Sequence, residues 1–236
     1  MSAEPAVEIR GVVKNYSALR PLRIAGLSIA SGERVALAGI DAPGAEVLLN
    51  LVTGASLPDE GEVRVFGERT ADVTDGDQWL ASLDRFGIVS ERTVLLEAAT
   101  VTQNLALPFT LEIDPVPPGI LTKTHAIAVA CDIAGAWLDR RAGDVPPFVR
   151  ARVQLARAVA LDPRLLLMEH PTAGLSEDER APFGVVVARI CAARSLTLLA
   201  VTQDRAFASA AAERTLTLRA ATGQLVAARQ SWWQRS

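Results

Sequence analysis

Residues 37–54 read "LAGIDAPGAEVLLNLVTG", and how this stretch is read decides the fold. Gly39 and Gly44 have the spacing of G-x-x-x-x-G-K-[ST], the loop whose backbone amides and lysine hold nucleotide phosphates. The loop is Gly39, Ile40, Asp41, Ala42, Pro43 and Gly44, but the residues that follow are Ala45, Glu46 and Val47. Just upstream, "GLSIASGERVALAGI" reads as two strands joined by a Ser-Gly turn, the second nearly all apolar and therefore buried. Downstream, "EVLLNLVTG" has apolar residues at helical spacing and stops on Gly54. Strand, loop, helix is the context of a phosphate loop; the charge that such a loop carries is missing.

Outward from this stretch, "VEIRGVVKNY" alternates like an edge strand, and "EGEVRVFGER" and "DRFGIVSE" are short strands. Residues 92–150 change character, with helix-prone segments punctuated by Pro108, Pro115, Pro117 and Pro118 and a loop "EIDPVPPG", and they read as a helical insert. "VRARVQLARAVAL" has a strong helical pattern, "PRLLLMEHP" is a short apolar strand stopped by proline, and "SEDERAPFGVVVARICAAR" is a helix with Ser176 as its N-cap. "LTLLAVTQD" is a further buried strand, and "RTLTLRAATGQLVAARQ" a closing hairpin. Strands alternating with helices predict an α/β fold with a mostly parallel sheet covered on both faces. Residues 1–236 are expected to form one domain.

Half of the 236 residues are hydrophobic and 22% are charged, with a net charge of -3 and the two signs interspersed, so no basic footprint points to nucleic acid. The apolar runs are interrupted by arginines and fall short of a membrane span. Residues 1–11, "MSAEPAVEIRG", lack the basic start and apolar core of a secretory signal. Cys131 and Cys191 form no metal or redox spacing and read as buried small hydrophobes, and His125 and His170 lie too far apart in sequence to suggest a metal centre. Arg150, Arg152 and Arg157 read as the solvated, stem-packing face of their helix. Trp232 and Trp233 suggest a partner contact, a subdomain contact or a disordered end, and the sequence does not rank these.

"ARVQLARAVALDPRLLLMEHPTAGLS", with "SGERVALAG" ahead of the loop and Tyr16 at the place of an adenine-stacking aromatic, closely resembles ABC-family nucleotide-binding domains over nearly the whole chain. The resemblance implies a P-loop NTPase-like fold with an N-terminal antiparallel β part and a helical subdomain at about 92–150. It also implies ATP and magnesium as ligands and a homodimer or heterodimer of two such domains. A transmembrane transporter subunit would dock near Glu91 and Leu96, placing the chain in the cytoplasm on the inner face of the cell membrane.

Against that pattern the polar positions differ. Ala45 stands at the lysine, Glu46 at the magnesium-holding hydroxyl, Glu91 at the magnesium-sensing glutamine and Ser176 at the loop aspartate. Glu169 stands at the metal-binding aspartate, His170 at the water-polarising glutamate and Gln203 at the switch histidine. The signature loop is replaced by Val145, Pro146, Pro147, Phe148 and Val149, whose prolines lack amide donors. Losing the lysine removes a charge-assisted contact of about 1.5–3 kcal/mol, and losing a general base costs roughly 10²- to 10⁴-fold in rate. These positions therefore predict no catalytic residues, weak or vestigial nucleotide contacts from Tyr16 and residues 39–47, and a metal held at most by Glu169. Glu46 is expected either to fill the anion site itself, favoured by the helix dipole, or to face solvent, and the amides from Asp41 to Ala45 to remain open to a phosphate. The expectation is a pseudo-ATPase component of a transport complex; the alternatives are a working motor with non-standard residues and a soluble binding module.

Overall fold

The computed structural model describes residues 4–73 and 75–227. Trp232 and Trp233 lie outside the described residues. The chain runs through β1 (Pro5–Lys14), β2 (Leu22–Ala30), β3 (Arg34–Ala38), α1 (Ala42–Thr53), β4 (Glu60–Val65), β5 (Glu68–Arg69), α2 (Gly76–Ser82) and β6 (Phe86–Val89). It continues through α3 (Val101–Ala106), α4 (Pro118–Ala130), α5 (Pro147–Ala158), β7 (Leu165–Glu169), α6 (Glu177–Arg194), β8 (Thr197–Val201), α7 (Arg205–Ala211), β9 (Arg214–Arg219) and β10 (Gln224–Ala227).

Two sheets form. A six-stranded sheet has the order β10-β9-β3-β8-β7-β6, and every pairing in it is parallel except that of β9 with β10. A four-stranded antiparallel sheet has the order β2-β1-β4-β5. The expected edge strand is therefore a central one: β1 pairs with β2 on one side and β4 on the other. β2 and β3, although consecutive, go to different sheets, so the turn between them is a crossing and not a hairpin.

Alternation in β7 and β8 divides the interior. Leu165, Leu167, Leu199 and Val201 face a core shared with α1 and the antiparallel sheet, whereas Leu166, Met168, Leu198 and Ala200 face one shared with α5, α6 and α7. Each of these strands is apolar on both faces because both faces are covered. The consequence for function is positional: the loops after β3, β6, β7 and β8 all leave the carboxyl edge of one parallel sheet, where open α/β sheets bind ligands.

Candidate functional site

The sequence-read phosphate loop follows β3, but its last part is wound into a helix. α1 begins at Ala42, with Asp41 as its N-cap and Pro43 in its first turn. The Gly44 N–H donates to Asp41 Oδ1 at 3.0 Å and the Ala45 N–H to the Asp41 carbonyl at 2.8 Å, while Pro43 has no N–H to offer. The amides of Gly44 and Ala45 are thus not open to a phosphate, contrary to the sequence expectation. The tyrosine hydroxyl of Tyr16 lies 3.4 Å from the same Asp41 oxygen, and burial, followed by the neighbouring Asp41 charge, pushes its pKa above the ordinary value.

The glycines are explained by contact. Gly39 has φ +80°, and a Cβ there would lie 2.7 Å from the Leu218 carbonyl oxygen. A Cβ on Gly44 would lie 2.7 Å from Asp41 Oδ1 and 3.2 Å from the Tyr16 hydroxyl. Ile40 is buried, and Ala45 is fully buried in the core shared with the antiparallel sheet, so no side chain at 45 projects into the loop. Val47 packs against that core from a partly buried position.

Glu46 neither fills the anion site nor faces solvent alone: its carboxylate is bonded to the Arg92 guanidinium. Arg92 Nη2 also lies 3.8 Å from Glu169 Oε2, so the guanidinium stands between two carboxylates. Sequence reasoning missed Arg92; its only signal was a cation beside Glu91, in a loop 46 residues away from its partner. Glu169 ends β7 buried, and Glu169 Oε2 accepts no hydrogen bond. Burial lifts its pKa above the ordinary value, opposed chiefly by Arg92. Glu91 is exposed.

Next to it, His170 adopts φ +42° and donates its N–H to the Val201 carbonyl at 2.8 Å, while its Nε2 is buried without a partner. Gln203 reaches back across the edge: its Nε2 donates to the Ile40 carbonyl at 2.8 Å, and its Oε1 accepts from the Gly39 N–H at 3.4 Å. Ser176 caps α6, its N–H donating to Glu179 Oε2 at 2.9 Å. The structure therefore gathers Tyr16, residues 39–46 and Gln203 around the loop, with Glu46, Arg92 and Glu169 beside it.

The segment at 145–149 turns inward. Val145 and Val149 are buried, Pro147 opens α5 after the N-cap Pro146, and no side chain caps the helix. Phe148 makes an edge-to-face contact with Trp137, centroids 6.4 Å apart, and lies under the Arg152 guanidinium. The arginines of α5 are not merely solvated: Arg150 donates to the Ala142 carbonyl, Arg152 to the Asp132 carbonyl and Arg157 to the Val94 carbonyl. Burial lowers the Arg157 pKa. Cys131 and Cys191 are free and buried, their thiols pushed up to about 12 by burial. His125 is exposed on α4. Beside the site, Val94 and Leu96 are 70% and 46% exposed while Leu95 between them is buried, so these two side chains present a small apolar edge next to the exposed Glu91 and Arg92.

Neither implied ligand fits this geometry. A nucleotide phosphate meets Asp41's own carboxylate at the head of α1, and a magnesium ion between Glu46 and Glu169 meets a guanidinium. Among the described residues no group of three or more His, Cys, Asp or Glu side chains could hold a metal, and no helix is long and apolar enough to cross a membrane.

Comparison with known proteins places this geometry among relatives. A family model described as ABC transporter matches residues 22–173, more than half of the chain. The ribose import ATP-binding protein RbsA 2 of Rhizobium etli is 33% identical over 178 residues, covering 75% of this chain and 34% of that protein. The sulfate/thiosulfate import ATP-binding protein CysA of Pseudomonas aeruginosa is 32% identical over 215 residues, covering 89% of this chain and 62% of that protein. The chain thus spans from about a third to under two thirds of the length of these relatives. Among solved structures, the dimeric ATP-binding cassette MJ0796 bound to ADP and Pi superposes with a TM-score of 0.74 at 21% identity, covering 95% of this chain and all of that one. The chain cbiO1 from Clostridium perfringens, part of the transporter complex cbiONQ, gives 0.77 at 17% identity, covering 94% of this chain and 87% of that one. These likenesses establish the fold, that of the P-loop nucleotide-binding cassettes.

Proposed function

Because this chain belongs to the ABC transporter family, we propose that it is a nucleotide-binding-type subunit that no longer hydrolyses ATP and serves a membrane transport complex as a structural or regulatory component. The observation that carries this reading is the winding of residues 42–45 into α1, which spends the Gly44 and Ala45 amides on Asp41. His170 at the position of the water-polarising carboxylate supports it, since its Nε2 is buried and so out of hydrogen-bond reach of a water at the loop. So does the inward-turned Phe148, because the segment 145–149 then offers little to a nucleotide held by a second subunit.

The subunit works as one domain over residues 1–236, with 92–150 as a helical subdomain, paired with a second nucleotide-binding domain of the same or a different chain. It sits on the cytoplasmic face of the cell membrane, where the exposed Val94 and Leu96 receive an apolar helix end of a transmembrane subunit. That apolar edge favours a membrane-docked role over a free-standing soluble module.

Calorimetric titration with ATP and magnesium, with phosphate release measured in parallel, tests the reading. The expected result is no saturable heat and no turnover above buffer. Saturable, magnesium-dependent binding with turnover would instead establish a working motor that uses non-standard residues, with Glu169 as its metal ligand.

A further inference from the structure

The loop that follows β6 is fastened from two sides. At its back, Gln154 Nε2 donates to the Thr93 carbonyl at 2.8 Å, Arg157 Nη1 donates to the Val94 carbonyl at 2.9 Å, and Asn104 bonds both the N–H and the carbonyl of Leu96. Its tip is a tight turn in which the Thr93 N–H donates to the Ser90 carbonyl at 2.9 Å and the Ser90 N–H to Thr93 Oγ1 at 3.3 Å. The turn presents Arg92 forward, to Glu46 of α1 and Glu169 of β7.

We infer that Arg92 is an internal cation: its guanidinium takes the place between Glu46 and Glu169 that a divalent metal ion would need, and so clamps residues 90–93 to α1 and to the end of β7 without nucleotide. Two carboxylates that face one another need a positive charge between them, the more so because Glu169 is buried and its Oε2 accepts no hydrogen bond. A guanidinium is charged at every working pH and forked, so that it can serve both carboxylates at once. Being part of the chain, it does so without the entropy loss of capturing a free ion. His170 and Glu91 are the other charged or titratable neighbours that Glu169 feels, and neither bridges the pair. The inference rests on reading the site as closed to nucleotide, and it adds what closes the metal half and what that does to the loop.

Hydrogen exchange of the full chain, without nucleotide and followed by mass spectrometry, tests it on the wild type, R92M, E46Q and the double variant R92M/E46Q. In R92M the amides of residues 90–93 are expected to exchange faster by about tenfold, while those of β8 stay unchanged. Millimolar magnesium chloride is expected to slow R92M again, because a hydrated Mg²⁺ can be held through one or two carboxylates, and to leave the wild type unaltered. E46Q is expected to loosen the same amides, and magnesium to have no effect on the double variant. Unchanged exchange in R92M, acceleration that magnesium does not reverse, or equal protection of the wild type by magnesium would each overturn the inference. The two readings fail separately: ATP binding in the calorimeter sinks the pseudo-ATPase, whereas this experiment contains no nucleotide.

Discussion

At the scale of single residues the site is a set of charges that satisfy one another. Glu169 is a carboxyl lifted by burial and only partly relieved by Arg92. A carboxyl whose folded pKa exceeds its unfolded value binds its proton at higher pH in the native state. Its contribution therefore favours folding below the unfolded pKa and is lost as pH rises through the folded one. In urea titrations at about pH 7 and about pH 5, the wild type is expected to gain stability on acidification relative to E169Q, which has no proton to take up. Equal shifts in the two proteins would count against a raised pKa. Glu169 and Glu46 were legible in sequence as odd residues at metal-site positions; their neutralisation by Arg92 was not, because the arginine comes from a turn 46 residues beyond Glu46 and no local pattern links them.

At the scale of elements, β3, β7 and β8 could be read from length as well as composition, since an apolar run too short for a helix and bounded by turn signals falls to a buried strand. The place of β1 could not: whether a strand is central depends on β2 and β4 pairing along both its edges, which its own alternation does not encode. α1 shows a different failure. Asp41 followed by Pro43 is a helix-start signal, but the glycine spacing invited a loop reading, and the helix begins three residues before Ala45. Asp41 is accordingly a cap before it is anything else. D41A is expected to lower stability by about 0.5–2 kcal/mol, seen as a smaller urea midpoint with an unchanged slope. Loss of less than that range would mean that the Gly44 N–H finds another acceptor.

At the scale of the whole molecule, the parallel sheet separates two cores, and the loops at its carboxyl edge include residues 90–96 after β6. The fold class was readable because the strand and helix periods alternate along the chain. The inward packing of Phe148 and the carbonyl contacts of Arg150, Arg152 and Arg157 were not, since an amphipathic helix such as α5 reads the same whether its cations meet water or a loop's main chain. If the apolar edge at Val94 and Leu96 seats a membrane subunit, V94D should move the chain from the membrane pellet to the soluble fraction of lysed cells. Because Val94 is largely exposed, its folding stability should change by no more than about 0.5 kcal/mol. Retention in the pellet would place the docking surface elsewhere.

The approach of Gly39 to Leu218 and of Gly44 to Asp41 and Tyr16 has an evolutionary consequence. Substitution at either glycine meets main chain or a neighbouring side chain whether or not a phosphate ever binds. A lineage released from selection on nucleotide chemistry would keep the two glycines and lose the lysine, so the spacing of glycines in such a loop records ancestry and packing, and the charge beside them records use.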